Sequence, residues 1–281
     1  LQFLIREELI KYQEIFKSKG SASILMDIHN GNILSLVSLP DFDPNERQNL
    51  TDVNYINRVT KGTYELGSVF KAFTFASALN EKLIKPETEF LDLPKSINCY
   101  GFPIREYDNE IPSDLTAEQI FVRSGNIGSV RIAQKVGPEK FKSFLEKIGV
   151  LSDIQFDIEE VAPQKKYNFG KCKLATASFG HGVATTILQL AKGYAVLSNG
   201  GYDIKPTLVD NNLEKNTKKK KLLNEGVSEQ VVNALRKIVS TEEGTAKFAD
   251  VENFEIGGKT GTADQPKDGA YSEAKINTFA S

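Results

Sequence analysis

The chain has 281 residues, of which 40% are apolar and 26% charged, and its formal net charge is −2 at pH 7. A chain of this length can bury a large core in one domain or two modest ones, and its composition excludes a disordered or collagen-like protein. The small net charge argues against a general nucleic-acid-binding protein, because such domains carry a large basic excess that neutralises phosphates.

The first forty residues predict a helix followed by a β-hairpin. Apolar residues recur at helical spacing among charged residues through 1–19. The segments 21–28 and 32–38 are rich in Ile, Leu and Val, as strands are. They flank Asn30 and Gly31, a pair that tolerates positive φ in a two-residue hairpin turn.

The middle of the chain predicts helices. The segment 68–79 is apolar on all sides, which indicates a buried central helix. Helical spacing returns in four further segments, with glycines or asparagine where helices are expected to stop. These segments are 115–136, 138–148, 185–197 and 228–239.

Short β-strands are predicted again towards the end of the chain, at 254–256, 259–263 and 276–280, with a polar turn at 266–269. Together with the early hairpin they could form one antiparallel sheet built from both ends of the chain. No internal repeat and no low-complexity linker divides the sequence. The sequence therefore predicts an α+β fold.

The sequence gives no sign of a membrane span or a metal site. No apolar segment approaches the roughly 20 residues that cross a bilayer, and Leu1 begins an amphipathic stretch rather than a signal peptide. Cys99 and Cys172 are too few and too far apart for a zinc site or a disulfide framework, and they leave the redox compartment open. The basic run 218–221 predicts a solvated loop. We expect neither a metal nor a cofactor.

Ser68 and Lys71 stand three residues apart at the start of the apolar segment, so a helix projects both from one face, about 5 to 6 Å apart at Cβ. A lysine in a dry site has a lowered pKa and can take the proton of a serine hydroxyl, which activates the serine as a nucleophile. Ser272 and Lys275 have the same spacing but lie in a polar stretch. The alternative for Lys71 is a surface lysine that reaches water.

A second motif, Ser124-Gly125-Asn126, places a hydroxyl and an amide on a turn before a predicted helix. Helix capping explains these residues equally well. Ser96 and Asn98 repeat the spacing, so the motif is informative only in combination with others.

A third motif, Lys259-Thr260-Gly261-Thr262, lies in a strand-like segment. A strand edge with Lys and Thr side chains can bind a carboxylate, and Gly261 leaves room for a substrate backbone to lie against the strand. The alternative is a glycine-rich turn with an exposed lysine. A phosphate-binding loop is disfavoured, because Asn253 stands where that loop needs a glycine and no apolar helix follows Thr260.

The three motifs occur in the order found in penicillin-binding proteins and class A β-lactamases. More of the chain resembles the transpeptidase domain of class B penicillin-binding proteins, especially the division-type enzymes. The resemblance covers nearly everything from Gly20 to Ser281, with further matches at 40–45, 64–71, 178–182, 189–201 and 244–246. It implies the penicillin-binding and β-lactamase-like fold, an α/β sandwich with an antiparallel five-stranded sheet flanked by helices. An all-helical subdomain would be inserted at about residues 80–180.

The resemblance also implies roles for single residues. The implied catalytic residues are Ser68 as the acylated nucleophile, Lys71 as the general base and Ser124 as a proton relay to the leaving amine. The implied substrate-binding residues are Asn126 for an amide, and Lys259, Thr260, Gly261 and Thr262 for a carboxylate. The backbone N–H groups of Ser68 and Thr262 would form the oxyanion hole. The implied reaction cross-links peptidoglycan stem peptides with loss of the terminal D-alanine. The resemblance also implies acylation by β-lactams.

Two departures from the family pattern leave the reacting groups in place: Leu66 stands for a frequent proline, and Gly125 for a frequent second serine. Family members carry a membrane anchor and an N-terminal pedestal domain, and they continue past the equivalent of Ser281. We therefore expect residues 1–281 to be a truncated catalytic domain. The family implies anchoring in the bacterial inner membrane, a periplasmic catalytic domain, a role in septal wall synthesis, and division membrane proteins as partners.

Two other functions of the same fold stay open. A β-lactamase would need a carboxylate that activates water, for which Glu159 and Glu160 are candidates, although 156–163 does not resemble the loop of that enzyme. A β-lactam sensor would retain acylation by the drug. Of the two histidines, His29 is expected to be exposed, and His181 is assigned no catalytic role.

Overall fold

A computed structural model of the chain describes residues 1–43, 45–46, 55–158, 167–209, 219–267 and 270–281. Four residues or pairs considered above lie outside these ranges: Pro44, Glu159 with Glu160, Lys218, and the turn tip at 268–269.

The described chain contains helices and pairs of antiparallel strands, which confirms the predicted α+β class. The helices are α1 (Gln2–Phe16), α2 (Lys71–Asn80), α3 (Ala117–Val122), α4 (Asn126–Val136), α5 (Pro138–Lys147), α6 (Lys171–Ala177), α7 (Ile187–Ser198) and α8 (Val227–Ser240). The strands are β1 (Ser21–Met26), β2 (Ile33–Leu39), β3 (Glu89–Phe90), β4 (Ser96–Cys99), β5 (Phe102–Arg105), β6 (Leu115–Thr116), β7 (Lys259–Lys267) and β8 (Ala270–Ala280). In the described ranges, none of the helices is both long and apolar enough to cross a membrane.

Strand pairing joins β1 to β2, β3 to β6, β4 to β5 and β7 to β8, each pair antiparallel. The described strands therefore form four two-stranded sheets, and none of these sheets has the five strands that the resemblance implies. The strand predicted at 254–256 is wrong. The backbone there bonds to α8 instead, since Arg236 donates to the carbonyl of Ile256 at 2.9 Å and the Gly258 N–H donates to Leu235.

The connection between β1 and β2 is wider than the predicted two-residue turn. The Gly31 N–H donates to the carbonyl of Asp27, and the Asp27 N–H donates to the carbonyl of Asn32. The Asp27 carboxylate also accepts from the His29 N–H and the Asn30 amide, at 2.7 and 2.9 Å. An acidic residue at the end of β1 therefore organises a longer loop, in which His29 is exposed as predicted.

The helical segment predicted at 115–136 is broken in two. A capping box of Thr116 and Gln119 begins α3, since each side chain accepts from the backbone N–H of the other. The helix ends at Val122, and Ser124 then takes a φ of 60°, which is unusual for a residue other than glycine. The chain therefore turns sharply at Ser124 before α4 begins.

Helix α2 lies at the centre of the core, as its apolar pattern predicts. Residues 71–79 are all buried, and α3, α4, α5 and α8 pack around them. The ring of Phe73 contacts that of Tyr194 edge to face at 5.5 Å, and the Tyr194 hydroxyl donates to the carbonyl of Val69 at 2.8 Å. The start of α2 is therefore held by α7 through both packing and a buried hydrogen bond.

A disulfide joins Cys99 in β4 to Cys172 in α6 across 73 residues of sequence. The sequence left this pairing undecided. The bond ties the β4–β5 hairpin to α6, and α6 packs against α4. Disulfides persist in oxidising compartments and are rare in the reducing cytosol.

Candidate active site

Ser68 lies on a 3-10 turn, Gly67–Phe70, that leads directly into α2. The predicted helix therefore begins as α-helix only at Lys71, one turn later than Ser68. The Ser68 side chain is half-buried, and its hydroxyl makes no hydrogen bond with the described residues. It is placed where an incoming substrate can reach it.

Strand β7 packs directly against this turn, main chain to main chain. A Cβ at Gly67 would lie 2.4 Å from the carbonyl oxygen of Thr262, and a Cβ at Gly261 would lie 2.4 Å from that of Leu66. Gly67 also has a φ of 63°, which favours glycine. A third segment also packs closely against this turn, because a Cβ at Gly180 would lie 2.0 Å from the carbonyl oxygen of Gly67.

This contact brings the backbone of Gly67, the residue before Ser68, against the backbone of Thr262. It also explains why a glycine stands at position 261, and this explanation differs from the room for a substrate predicted above. The side that a Cβ would occupy at Gly261 faces the carbonyl of Leu66 and the side chain of Val69. The glycine therefore allows the strand to approach the turn.

Lys71 joins the first motif to the second. Its side chain is 1% exposed, so the alternative of a surface lysine is wrong. Its Nζ donates to the carbonyl oxygen of Ser124 at 2.5 Å and to Oδ1 of Asn126 at 2.7 Å, and it lies 3.0 Å from Oγ of Ser124. Ser124 and Asn126, which lie 53 and 55 positions after Lys71 in the sequence, thus share its amine.

Burial lowers the pKa of Lys71 well below its ordinary value. The nearby Lys259 lowers this pKa further, whereas the Glu106 carboxylate raises it. A lysine with a lowered pKa can be neutral near physiological pH, and its free electron pair can then accept a proton. The electrostatics therefore suit Lys71 as a base.

Lys259 is also buried, with 0% of the residue exposed, so the alternative of an exposed turn lysine is wrong. Its Nζ donates to the carbonyl of Thr260 at 3.0 Å, and burial lowers its pKa to about 7. The amines of Lys71 and Lys259 repel each other when both are charged. The site therefore disfavours the state in which both lysines are protonated. An anionic ligand would relieve this by stabilising the ammonium form of Lys259.

The threonines of the third motif lie towards the surface of β7. Thr260 is half-buried, and its hydroxyl shares a hydrogen bond of 2.9 Å with that of Thr245. Thr262 is exposed and donates to Oδ1 of Asn277, its partner on β8, at 3.2 Å. Two hydroxyl groups and a lysine amine on one strand are donors of the kind that bind a carboxylate.

Glu106 is a residue of this site that the sequence analysis missed. Its two carboxylate oxygens accept from the backbone N–H groups of Asn126 and Ile127, at 2.6 and 2.9 Å. It caps α4 from twenty residues away, whereas capping signals in a sequence come from residues next to the helix. No local pattern could have identified it.

Glu65 and Tyr271, which the sequence analysis missed, form a second group with His181 beside the Ser68 turn. The Tyr271 hydroxyl donates to the buried carboxylate of Glu65 at 3.0 Å. The ring centroids of His181 and Tyr271 lie 6.2 Å apart, and Nδ1 of His181 is buried without a hydrogen-bond partner in the described ranges. Burial lowers the pKa of His181, which favours a neutral ring.

Among the described side chains, no group of three or more His, Cys, Asp or Glu residues is arranged to hold a metal ion. What the structure does assemble is a turn that carries Ser68, a buried lysine amine and a strand of hydrogen-bond donors. This arrangement can carry out acyl transfer through a serine.

Comparison with known proteins gives a consistent result. A family model described as the penicillin binding protein transpeptidase domain matches residues 21–281. The chain is 30% identical over 269 residues to the probable peptidoglycan D,D-transpeptidase FtsI of Caulobacter vibrioides, covering 94% of this chain and 45% of that protein. It is 29% identical over 288 residues to the stage V sporulation protein D of Bacillus subtilis, covering 97% and 44%.

The same similarity is found among solved structures. The apo structure of the TP domain from Burkholderia pseudomallei penicillin-binding protein 3 matches with a TM-score of 0.87 and 25% sequence identity, covering 99% of this chain and 80% of that one. The chain spans less than half the length of the two curated relatives named above.

Proposed function

This chain belongs to the penicillin-binding protein transpeptidase family, as a class B transpeptidase domain, and from that membership we propose that it is the catalytic part of a septal-type peptidoglycan D,D-transpeptidase. One observation carries the proposal: the buried amine of Lys71 bonds to Ser124 and Asn126 one turn after Ser68. Nucleophile, base and relay thus come from two segments that only the fold brings together.

Acylation begins when neutral Lys71 takes the proton of the Ser68 hydroxyl. The Ser68 oxygen attacks the carbonyl between the two terminal D-alanines of a stem peptide. The backbone N–H groups of Ser68 and Thr262 hold the oxyanion, and one such donor contributes about 10²- to 10³-fold in rate.

The leaving amine receives its proton through Ser124. Oγ of Ser124 lies 3.0 Å from Nζ of Lys71, so it can pass a proton from the ammonium of Lys71 to the departing D-alanine. The C–N bond then breaks and leaves an ester on Ser68. The amine of a second stem peptide attacks this ester and Lys71 accepts its proton. The bond between the Ser68 oxygen and the acyl carbon then breaks, and Lys71 returns the proton to the Ser68 oxygen.

The third motif holds the terminal carboxylate of the donor peptide. Lys259 supplies the positive charge, and the hydroxyls of Thr260 and Thr262 supply hydrogen bonds. A carboxylate at this position raises the pKa of Lys259 and favours its ammonium form. Asn126 holds an amide of the stem peptide in this proposal, and a β-lactam enters as a mimic of the same peptide end.

Hydrolysis is not favoured by the residues that are described. The carboxylate of Glu106 is engaged by the start of α4, and that of Glu65 by Tyr271. Neither hydrogen-bonds to Ser68. The two curated relatives named above are described as a probable peptidoglycan D,D-transpeptidase and a sporulation protein, and neither is described as a β-lactamase.

The cellular setting follows the same reasoning. The disulfide between Cys99 and Cys172 supports a periplasmic position for this domain, because such bonds persist in oxidising compartments. In this proposal the whole protein is anchored in the bacterial inner membrane and works with division membrane proteins. The domain in this proposal extends over residues 1–281. Its insertion at about 80–180 contains α3 to α6 and also the strand pairs β3–β6 and β4–β5, so the expectation that it is all-helical is wrong.

The proposal is tested by incubating the protein with a fluorescent penicillin, followed by intact-mass measurement and peptide mapping. We expect one long-lived adduct on Ser68 and none in Ser68→Ala. Ser272→Ala is the matched control, since Ser272 has the same spacing to a lysine but donates to the carbonyl of Gln265 at 3.0 Å. An adduct on another residue refutes the assignment, and rapid turnover of the drug identifies a hydrolase instead.

A further inference from the structure

We infer that Glu106 is a positioning residue for the acyl transfer, because its carboxylate fixes Asn126 in the orientation that holds the amine of Lys71. The inference rests on the proposed function for its importance, but its geometry stands on the described residues alone. Glu106 follows β5 and faces the first turn of α4.

The backbone of Asn126 is fixed by Glu106. One carboxylate oxygen accepts from the Asn126 N–H at 2.6 Å, and the other accepts from the Ile127 N–H at 2.9 Å. These are the first two residues of α4, whose N–H groups have no partner within the helix. A carboxylate is also favoured there by the partial positive charge of a helix N-terminus.

The side chain of Asn126 is fixed by the neighbouring residue. Its Nδ2 donates to the carbonyl of Arg105 at 2.9 Å, so its Oδ1 is turned towards Lys71, whose Nζ donates to it at 2.7 Å. The consecutive residues Arg105 and Glu106 thus hold both the backbone and the amide of Asn126. Without Glu106, one of these two constraints is lost.

Glu106 also sets the charge balance around Lys71. The charged groups that act on Lys71 are Lys259 from β7 and Glu106 from the end of the β4–β5 hairpin. The polar groups that face its amine are Ser124 and Asn126, from the turn before α4. Glu106 is thus the carboxylate that opposes burial and Lys259, and its removal lowers the pKa of Lys71 further.

The hairpin that carries Glu106 is itself held in place. Cys99 at the end of β4 is bonded to Cys172 in α6, and α6 packs against α4. The hairpin is therefore tied to the same helix that Glu106 caps. This closed arrangement explains how one carboxylate keeps a defined position twenty residues before its partners.

The test compares Glu106→Gln with wild type in the second-order rate of Ser68 acylation by a fluorescent penicillin, measured from acid to alkaline pH. Gln keeps one acceptor oxygen but loses the second and the charge. We expect a plateau rate lower by about tenfold or more, since small misplacements near a reacting group have effects of this size. We also expect the rise in rate, which follows deprotonation of Lys71, to move to lower pH. Glu106→Asp restores the charge and should return the rise towards wild type.

The matched control is Asp157→Asn. Asp157 is a carboxylate that accepts from the Leu208 N–H at 2.6 Å and from the Thr207 hydroxyl at 2.7 Å, with no hydrogen bond to the site. We expect neither its plateau rate nor its pH profile to change. If Glu106→Gln retains the wild-type rate and profile, the inference is wrong. A lower rate with an unmoved profile also overturns it, because that result marks a residue that only stabilises the fold.

A second measurement separates this inference from the proposed function. The side-chain ε-CH₂ signal of Lys71 can be followed by NMR through a pH titration in wild type and in Glu106→Gln. We expect the midpoint to fall in the variant even if the wild type is never acylated on Ser68. An unchanged midpoint contradicts the inference, whereas a missing adduct in the wild type contradicts the proposed function alone.

Discussion

Two segments of this chain have the same Ser-x-x-Lys spacing and opposite surroundings. Lys71 is buried in α2 and bonds to Ser124 and Asn126. Lys275 lies on β8, where its side chain is 53% exposed and pairs with Asp264. Because side chains alternate along a strand, Ser272 and Lys275 also point to opposite faces of β8. The properties of each lysine therefore depend on the environment of the Ser-x-x-Lys motif and not on its spacing.

The largest expected effect comes from removing each amine in turn. Lys71→Met should lower the rate of Ser68 acylation by about 10³-fold or more, because a positioned acid–base group contributes 10² to 10⁴. Lys275→Met should leave the rate unchanged, since it removes only a surface ion pair. Stopped-flow acylation with a fluorescent penicillin measures both. Equal losses in the two variants would show that the comparison between the segments is mistaken.

Removing the disulfide sharpens the comparison, because the loss of this bond should loosen the region around the partners of Lys71 and leave the region around Lys275 unchanged. Replacing both Cys99 and Cys172 with Ala should lower the free energy of unfolding by about 2 to 4 kcal/mol, as expected for closing a long loop. Hydrogen exchange should rise around the β4–β5 hairpin and the start of α4, and remain near wild type in β8. Unfolding in urea measures the first effect. Uniform exchange changes through both regions would argue against a local role.

The contact between β7 and the Ser68 turn is tested by Gly261→Ala. A Cβ there meets the Leu66 oxygen at 2.4 Å, so we expect a loss of about 1 to 3 kcal/mol in stability from overpacking, together with slower acylation. Gly170→Ala is the control, because nothing lies within 4 Å of its Cβ position. Thermal unfolding of the two variants gives the difference. Similar stabilities would mean that the strand can move away without cost.

The effect that is smallest for a change of one pH unit is a dependence of stability on pH. Burial lowers the pKa of Lys259 to about 7, whereas an unfolded lysine has a pKa of about 10.4. Between these values the unfolded chain binds more protons, so the free energy of unfolding should rise with pH, by at most about 1.4 kcal/mol per pH unit for this group. Lys259→Met should remove this part of the slope, and Lys275→Met should not. Urea unfolding at several pH values measures this dependence. If the free energy of unfolding has the same slope against pH in wild type, Lys259→Met and Lys275→Met, the pKa of Lys259 is not lowered.

Much of the fold was predictable because its signals are local. The buried helix α2 follows from an unbroken apolar segment, and α5, α7 and α8 follow from periodicity. The break at Ser124 was missed because a single residue with positive φ leaves the apolar spacing on either side intact. The strand at 254–256 was wrong because its backbone bonds to a helix, a partner that no short pattern reveals.

The site was predictable only in part for a related reason. Its three motifs could be found from residue types and spacing, but the burial of Lys259 could not, because a lysine before a threonine reads as a surface residue. Glu106 and the Cys99–Cys172 bond act across 20 and 73 residues, respectively. Such contacts depend on how whole elements pack, and the sequence of each segment carries no local trace of them.

The stacking of Gly180, Gly67 and Thr262 has a consequence for selectivity. Where main chains touch with no side chain between them, the gap is set by atoms that have no rotamers. Rearrangement of side chains elsewhere then leaves the separation between the backbones of Gly67 and Thr262 unchanged. In the proposed function, this rigid contact would fix the gap that receives the carbonyl group of the ligand, so discrimination between peptides would have to arise further along the ligand.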